Sequence, residues 1–152
     1  MRMEWTRGTF KVTDDLARFD MSFVVESLQS MWRKGASKGS IESAFVNSLC
    51  FGLFDGYKQI GYVRAVTDRE FVSWVSDLFV APAYRGKGLG RWLMDCVMKH
   101  PELVHTRLVF SSAPEAQAFY ERLGFKPMER GYSMTPRSED DLSAGHADEF
   151  RR

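Results

Sequence analysis

The stretch VAPAYRGKGLG at residues 80–90 decides the fold of this chain, because it gathers three glycines between two apolar segments. Residues 71–80 before it are rich in strand-forming side chains, and residues 91–98 after it have helical period. Glycine permits backbone conformations that other residues resist, and it lets a ligand approach the main chain closely. Successive amides at a helix N-terminus bind phosphate oxygens with the help of the helix dipole. The stretch therefore predicts a strand–loop–helix unit that holds a pyrophosphate.

Two common phosphate-binding patterns do not fit this loop. A Walker A loop needs Ser or Thr after Gly-Lys, but Lys87 is followed by Gly88. A dinucleotide fingerprint needs Gly-x-Gly-x-x-Gly, but the next glycine after Gly88 is Gly90. It also needs an acidic residue at the end of the next strand, and residues 107–112 contain none.

Periodicity and turn residues predict the remaining elements in the order β-α-α-β-β-β-α-β-α-β. Upstream of the loop we expect a strand over 9–13 and a helix over 19–31 capped by Asp20. A mobile stretch over 32–39 would follow, and then a helix from the cap Ser40 to about 48. Strands over 50–54, 59–67 and 71–80 would form an antiparallel meander, with a turn at Asp55-Gly56. Downstream we expect a helix over 91–98, a strand over 107–110, a helix over 114–123 ended by Gly124, and a weak strand over 132–135. This is a mixed α/β (α+β) domain over residues 1–136, followed by a polar, frayed tail over 137–152.

Composition bounds the partners and the compartment. The chain has 152 residues, 44% of them hydrophobic, and a formal net charge of +1, so we expect one packed domain without affinity for nucleic acid or membrane. Cys50 and Cys96 lie among apolar residues and are expected to be buried, reduced thiols of a cytoplasmic protein, since no signal peptide or membrane-spanning run is visible. His100, His105 and His146 lack metal-ligand spacing, so we expect surface or loop positions for them and no metal.

Two motifs resemble the GNAT superfamily of N-acetyltransferases. Arg85-x-x-Gly88-x-Gly90 is similar to its Arg/Gln-x-x-Gly-x-Gly/Ala pattern. About thirty residues further on, AQAFYERLGF (residues 116–125) resembles the A-x-x-F-Y-E-K-x-G-F signature of the superfamily's C-terminal half. The two motifs have the expected order and spacing, and the resemblance covers about residues 10–135.

The resemblance implies a GNAT-like fold, in which a mixed, mostly antiparallel central sheet is flanked by helices and two splayed central strands form the cofactor cleft. Acetyl-coenzyme A would be the acetyl donor, held by the main chain of Leu78, Phe79 and Val80 and by the loop residues Arg85, Gly86, Lys87, Gly88, Leu89 and Gly90. Tyr120 matches the tyrosine that in many members protonates the departing sulfur. Many members have an asparagine seven residues before this tyrosine, but here the position is Ala113, so Ser111 or Ser112 is expected to make that contact.

The chemistry of amine acetylation suggests further site residues. An amine attacks as the neutral base, and deprotonating an ammonium of pKa about 10.4 at pH 7 costs roughly 4–5 kcal/mol. A base is therefore needed, and Asp77, at the end of the strand that would line the cleft, is the candidate; the alternative is that Asp77 points away and is solvated or caps a neighbouring element. In the family the region between the first two helices covers the acceptor site. Trp32 would then wall that site, with Arg33, Lys34 or Lys38 pairing an acceptor carboxylate, unless this region is only an exposed loop.

The sequence thus predicts an acetyl-coenzyme A-dependent N-acetyltransferase that acts on a primary amine of a small molecule or of a peptide or protein. A longer acyl chain or another acceptor atom stays open. The rival is a noncatalytic acyl-coenzyme A sensor or interaction module, against which Tyr120 argues. A homodimer is an expectation drawn from the family alone.

Overall fold

A six-stranded sheet with helices on both faces forms the protein in the computed structural model, which describes residues 1–128. The strands are β1 (Glu4–Arg7), β2 (Phe10–Thr13), β3 (Leu49–Asp55), β4 (Lys58–Thr67), β5 (Val72–Val80) and β6 (Arg107–Val109). The helices are α1 (Met21–Met31), α2 (Lys38–Val46), α3 (Leu89–Met98) and α4 (Gln117–Arg122). The predicted strand over 132–135 and the tail over 137–152 lie outside the described residues.

The strands lie in the sheet in their sequence order, from β1 to β6. Neighbouring strands are antiparallel except β5 and β6, which are parallel. The mixed, mostly antiparallel sheet and the predicted meander of β3, β4 and β5 are therefore confirmed. The edge strand β1 was not predicted; it is four residues long and largely exposed, so it carries no clear alternation of apolar and polar residues.

The ends of the first two helices follow from their capping residues. Asp20 caps α1 as predicted, and its side chain accepts a hydrogen bond from the Phe23 amide at 3.1 Å. The prediction that Ser40 caps α2 is wrong, because Ser37 is the cap and accepts from the Ser40 amide at 3.1 Å. The connection before α2 is therefore shorter than predicted, and the Gln29 side chain anchors it by donating to the Ala36 carbonyl at 2.9 Å.

The two helices that follow the glycine-rich loop in the sequence, α3 and α4, also differ from the prediction at their starts. Leu89 and Gly90, which were assigned to the loop, form the first turn of α3. The segment before α4 is a 3-10 turn over Pro114–Ala116. After α4, the Phe125 amide donates to the Tyr120 carbonyl at 3.2 Å and the Gly124 amide donates to the Glu121 carbonyl at 3.0 Å. This pair of bonds is a Schellman ending, so the predicted stop at Gly124 is confirmed.

Two hydrophobic clusters hold the helices to opposite faces of the sheet. The first lies under α3 and α4 and includes Phe51, Leu93 and Met94, with Phe119 of α4 packed against it. The second lies under α1 and α2 and includes Leu28 and Phe45, together with residues of β4 and β5. Cys50 and Cys96 are both buried and free, as expected, one in each cluster.

His100 lies in the loop after α3, in agreement with the expected surface or loop position, but it is buried there, with only 2% of it exposed. Its Nδ1 accepts from the Glu102 amide at 3.2 Å, so its Nε2 carries the proton and donates to Asp14 at 3.1 Å. Asp14 also accepts from the Met3 amide at 2.7 Å. The pair ties the first hairpin to the end of α3. His105 is exposed as expected, and His146 lies outside the described residues.

We expect Asp14→Ala to lower the free energy of unfolding by about 2–4 kcal/mol, because it leaves the Met3 amide and the buried His100 Nε2–H without an acceptor. Asp20→Ala is the matched control and should cost about 1 kcal/mol, as the loss of an exposed helix cap. Guanidinium chloride unfolding of the wild type and both variants measures the two losses of free energy, provided that the m-values are equal. Equal losses in the two variants would contradict the role assigned to Asp14.

Candidate active site

The cleft opens where β5 and β6 diverge. The two parallel strands pair only from Val72 with Arg107 to Trp74 with Val109. Within residues 1–128, β5 from Val75 onward has no strand partner on the β6 side, so the main-chain groups of that edge face a cleft. The cleft has a volume of about 1370 Å³, larger than the usual small-ligand pocket. The predicted splayed strands are thus present.

A β-bulge at Asp77 determines which face of the sheet each side chain of β5 packs on. The β4–β5 register shifts between Tyr62, opposite Phe79, and Arg64, opposite Ser76, and Asp77 has a φ of 59°. The extra residue reverses the alternation of side chains. Consequently Val75 packs in the cluster under α3, whereas Phe79, four residues later, packs in the cluster under α1.

Asp77 lies in the cleft wall and is held by two arginines. Arg64 Nε donates to Oδ2 at 2.6 Å, and Arg33 Nη2 lies 3.6 Å from Oδ1. The Asp77 side chain is 6% exposed, so it does not point away into solvent, which was the alternative considered from the sequence. Sequence reasoning missed Arg64, since its pairing with Asp77 depends on the register of two strands. Asp77 as the base stays a prediction.

The glycine-rich loop delivers its amides to the same cleft. Gly86 and Gly88 have φ values of 78° and 75°, and Gly88 is the N-cap of α3. A side chain at either position would have space but would meet a backbone conformation that L-residues resist. The amides of Leu89 and Gly90 are the first of the helix, where orphan N–H groups and the dipole favour an anion. The loop therefore fits a pyrophosphate.

The two cations of the loop have different surroundings. Arg85 Nε donates to the Val80 carbonyl at 2.8 Å, and its guanidinium lies 5.6 Å from the centre of the Phe79 ring. Arg85 therefore ties the loop to the end of β5. Lys87 Nζ lies 5.4 Å from the centre of the Tyr84 ring, at the exposed side of the loop.

Tyr120 faces the cleft from α4. Its ring centre lies 3.9 Å from that of Phe110 and 5.1 Å from that of Phe119, which fixes its orientation. Burial raises the pKa of Tyr120 above its ordinary value, so the hydroxyl keeps its proton at neutral pH. Ser111, Ser112 and Ala113 line the same wall, which makes either serine available for the contact predicted at this position.

The connection between α1 and α2 forms the opposite wall. Trp32 is 43% exposed, and its ring is perpendicular to that of Phe79 at a centre distance of 6.5 Å. Arg33 also lines the cleft. Lys38 instead forms an ion pair with Glu42 at 3.7 Å, and Lys34 is exposed away from the lining residues. The structure thus brings Trp32, Arg33, Asp77, Tyr120 and the loop to one cleft.

The described part of the chain holds no cluster of three or more His, Cys, Asp and Glu side chains suited to a metal ion. None of its helices has the length and apolar character needed to cross a membrane.

The acetyltransferase (GNAT) domain family matches residues 47–127, which include β5, the loop, α3 and α4. The chain belongs to this family and is an N-acetyltransferase. Members of the family use acetyl-coenzyme A.

Individual relatives agree with this assignment. A protein of Gibberella zeae named as an acetyltransferase is 24% identical over 147 residues, covering 80% of this chain and 82% of its own length. The N-acetyltransferase ycf52 of Gracilaria tenuistipitata is 32% identical over 93 residues, covering 58% of this chain and 50% of its own length. A GNAT-family crystal structure from Xanthomonas campestris superposes with a TM-score of 0.79 at 28% identity, covering 86% of this chain and 96% of that one. A Clostridium acetobutylicum acetyltransferase with acetyl-coenzyme A shares the fold at 12% identity and a TM-score of 0.63, covering 89% of this chain and 96% of that one.

We expect Gly88→Ala to lower the free energy of unfolding by about 1–2 kcal/mol, because alanine must adopt the left-handed conformation that begins α3. Gly90→Ala is the control: its added Cβ would lie no closer than 3.7 Å to Val80 and Phe119, and alanine favours a helix. Thermal or denaturant unfolding of both variants tests this. Equal stability of Gly88→Ala and the wild type would show that the loop does not need this conformation.

Proposed function

We propose that this N-acetyltransferase uses acetyl-coenzyme A as donor and transfers the acetyl group directly to a primary amine of a small molecule or of a peptide or protein. The observation that carries the proposal is the convergence of three features on one cleft: the unpaired edge of β5, the amides that begin α3, and the partly buried side chain of Tyr120. The family assignment favours this enzyme over a noncatalytic acyl-coenzyme A sensor.

The donor site is built mainly from main-chain atoms. Along Leu78, Phe79 and Val80, the main-chain groups of β5 on the edge away from β4 would bind the amide groups of the pantetheine arm, as an added strand would. The amides from Arg85 to Gly90 would hold the pyrophosphate. Arg85 would keep the loop and the strand in register with each other through its bond to the Val80 carbonyl.

Tyr120 would act as the general acid. Acetyl-coenzyme A supplies a thioester whose departing thiolate needs a proton. Because burial keeps the Tyr120 hydroxyl protonated, this group can donate within hydrogen-bond reach of the sulfur. No hydrogen bond to another side chain in residues 1–128 occupies the hydroxyl, so the proton is available for transfer.

Asp77 would receive the proton of the acceptor amine, directly or through a water molecule. Oδ1 is the better placed atom, since Arg33 lies 3.6 Å from it, whereas Oδ2 accepts a bond of 2.6 Å from Arg64. A main-chain amide near Val80 is the donor we assign to the negative charge that develops on the acetyl oxygen.

We expect Tyr120→Phe to lower kcat by about 10²–10⁴-fold while the affinity for acetyl-coenzyme A stays within about threefold, because only the transferable proton is lost. Tyr57→Phe is the control, since that side chain is fully exposed and remote from the cleft lining. Thiol release and calorimetric binding measure the two quantities. A Tyr120→Phe enzyme with more than a third of wild-type kcat would rule out the acid role.

We expect kcat/KM to rise with pH as the acceptor amine loses its proton, and to show no descending limb below about pH 10. A general acid fails as pH rises through its pKa, and burial raises the pKa of Tyr120 above its ordinary value of about 10. The measurement is kcat/KM between pH 6 and pH 10 with any acceptor that is turned over. A fall between pH 7 and pH 9 in the wild type that disappears in Tyr120→Phe would contradict this.

A further inference from the structure

Two opposite charges lie side by side in the acceptor half of the cleft. Arg33 Nη2 and Asp77 Oδ1 are 3.6 Å apart, beyond an ordinary hydrogen bond, and both residues line the cleft. Trp32 and Phe79 form an aromatic wall next to them. A ligand that bound here would meet a cation, an anion and an apolar surface within a few ångströms.

Arg64, on the neighbouring strand β4, pairs with Asp77, so Arg33 is available for another partner. The Arg64 side chain is 12% exposed, donates to Asp77 Oδ2 at 2.6 Å and donates to the Ser48 hydroxyl at 3.1 Å. Arg33 is 34% exposed and makes the longer contact. When Arg33 exchanges Asp77 for the carboxylate of a ligand, Asp77 therefore keeps its close positive partner Arg64.

The other cations of the cleft differ from Arg33 in their contacts, and Arg85, whose guanidinium lies over the Phe79 ring, is the nearest of them to the aromatic wall. Among the described residues that line it, these cations are Arg85, Arg91 and Arg122. Arg85 is bonded to the Val80 carbonyl, Arg91 lies in the first turn of α3 beside the donor loop, and Arg122 ends α4. Arg33 is thus the lining cation that adjoins the candidate base.

We propose that the acceptor is an α-amino acid, whose carboxylate binds Arg33 while its amino group faces Asp77 Oδ1 and its side chain packs on Trp32. The ammonium and carboxylate of an amino acid match the neighbouring anion and cation, and the planar guanidinium can bind a carboxylate with two hydrogen bonds. This inference rests on the proposed acetyltransferase function and names its substrate class.

In the proposed reaction the acetyl group passes from the sulfur of coenzyme A to the amino nitrogen. The amino nitrogen loses one proton to Asp77 and bonds to the acetyl carbonyl carbon, the carbon–sulfur bond breaks, and the sulfur takes a proton from Tyr120. The nitrogen loses a second proton to solvent as the amide forms, Tyr120 regains a proton from solvent, and Asp77 gives its proton back to solvent. The products are an N-acetylamino acid and coenzyme A, and one proton is released to solvent.

The test measures thiol release from acetyl-coenzyme A with the twenty common L-amino acids, and then with the carboxamides of those that are turned over. The amine of a carboxamide is less basic, so the informative quantity is the acid-to-amide ratio of kcat/KM compared between enzymes. We expect Arg33→Gln to lower this ratio about ten- to hundredfold and Arg33→Lys to lower it less, because lysine keeps the charge but cannot form the paired hydrogen bonds of a guanidinium. Lys34→Gln, which removes the neighbouring exposed charge, should leave the ratio unchanged. The KM for acetyl-coenzyme A reports on the donor site, and the thermal midpoint reports on folding.

An unchanged ratio in Arg33→Gln, or an equal fall in Lys34→Gln, would overturn the assignment of Arg33. Absence of turnover with every amino acid, despite calorimetric binding of acetyl-coenzyme A, would overturn the amino-acid class and leave the proposed function standing. Absence of acetyl-coenzyme A binding would overturn the proposed function itself.

Discussion

The ion pair between Arg64 and Asp77 holds the bulge on which the geometry of the cleft depends. Asp77 occupies a left-handed conformation that costs free energy, and its carboxylate is almost fully buried. Both costs are offset because Arg64 supplies a short, charge-assisted bond from the neighbouring strand. With regular alternation, Phe79 would face α3 together with Val75; the bulge turns it toward α1 instead.

The bulge also lets β5 be anchored on both faces while one edge stays unpaired. Phe79 stacks on Tyr62 at a ring-centre distance of 5.5 Å, under α1. Leu78 and Val80 pack against the opposite cluster, under α3 and α4. A strand edge without a partner is ordinarily free to pair with another chain, but here side chains on both faces of the sheet hold the strand in position. The main-chain groups of the edge are thereby positioned without pairing to another strand.

Sequence reasoning succeeded where the signal was local. The loop after β5 follows from glycine spacing, each strand of the meander from about ten residues of sequence, and the place of Tyr120 in the cleft from a short motif, whereas its role stays a prediction. It failed where a long-range contact decides. Ser37 and Ser40 are equally good caps by type, and the burial of Ala36 selects Ser37. The burial of His100 depends on Asp14, which lies at the other end of the chain, and the role of Arg64 depends on a register that shifts at the bulge.

The two halves of the cleft differ in the atoms that build them. The donor half consists largely of backbone amides and carbonyls, whose positions are set by the bulge and by the left-handed glycines. The acceptor half consists of side chains on the α1–α2 connection, which is fastened to α1 by the bond from Gln29. Trp32 and Arg33 contact β5 through the side chains of Phe79 and Asp77, so we expect substitutions there to act mainly on the half of the cleft that we assign to the amine. In the proposed function, Asp77 links the halves, since it belongs to the strand that would hold the donor and would face the acceptor.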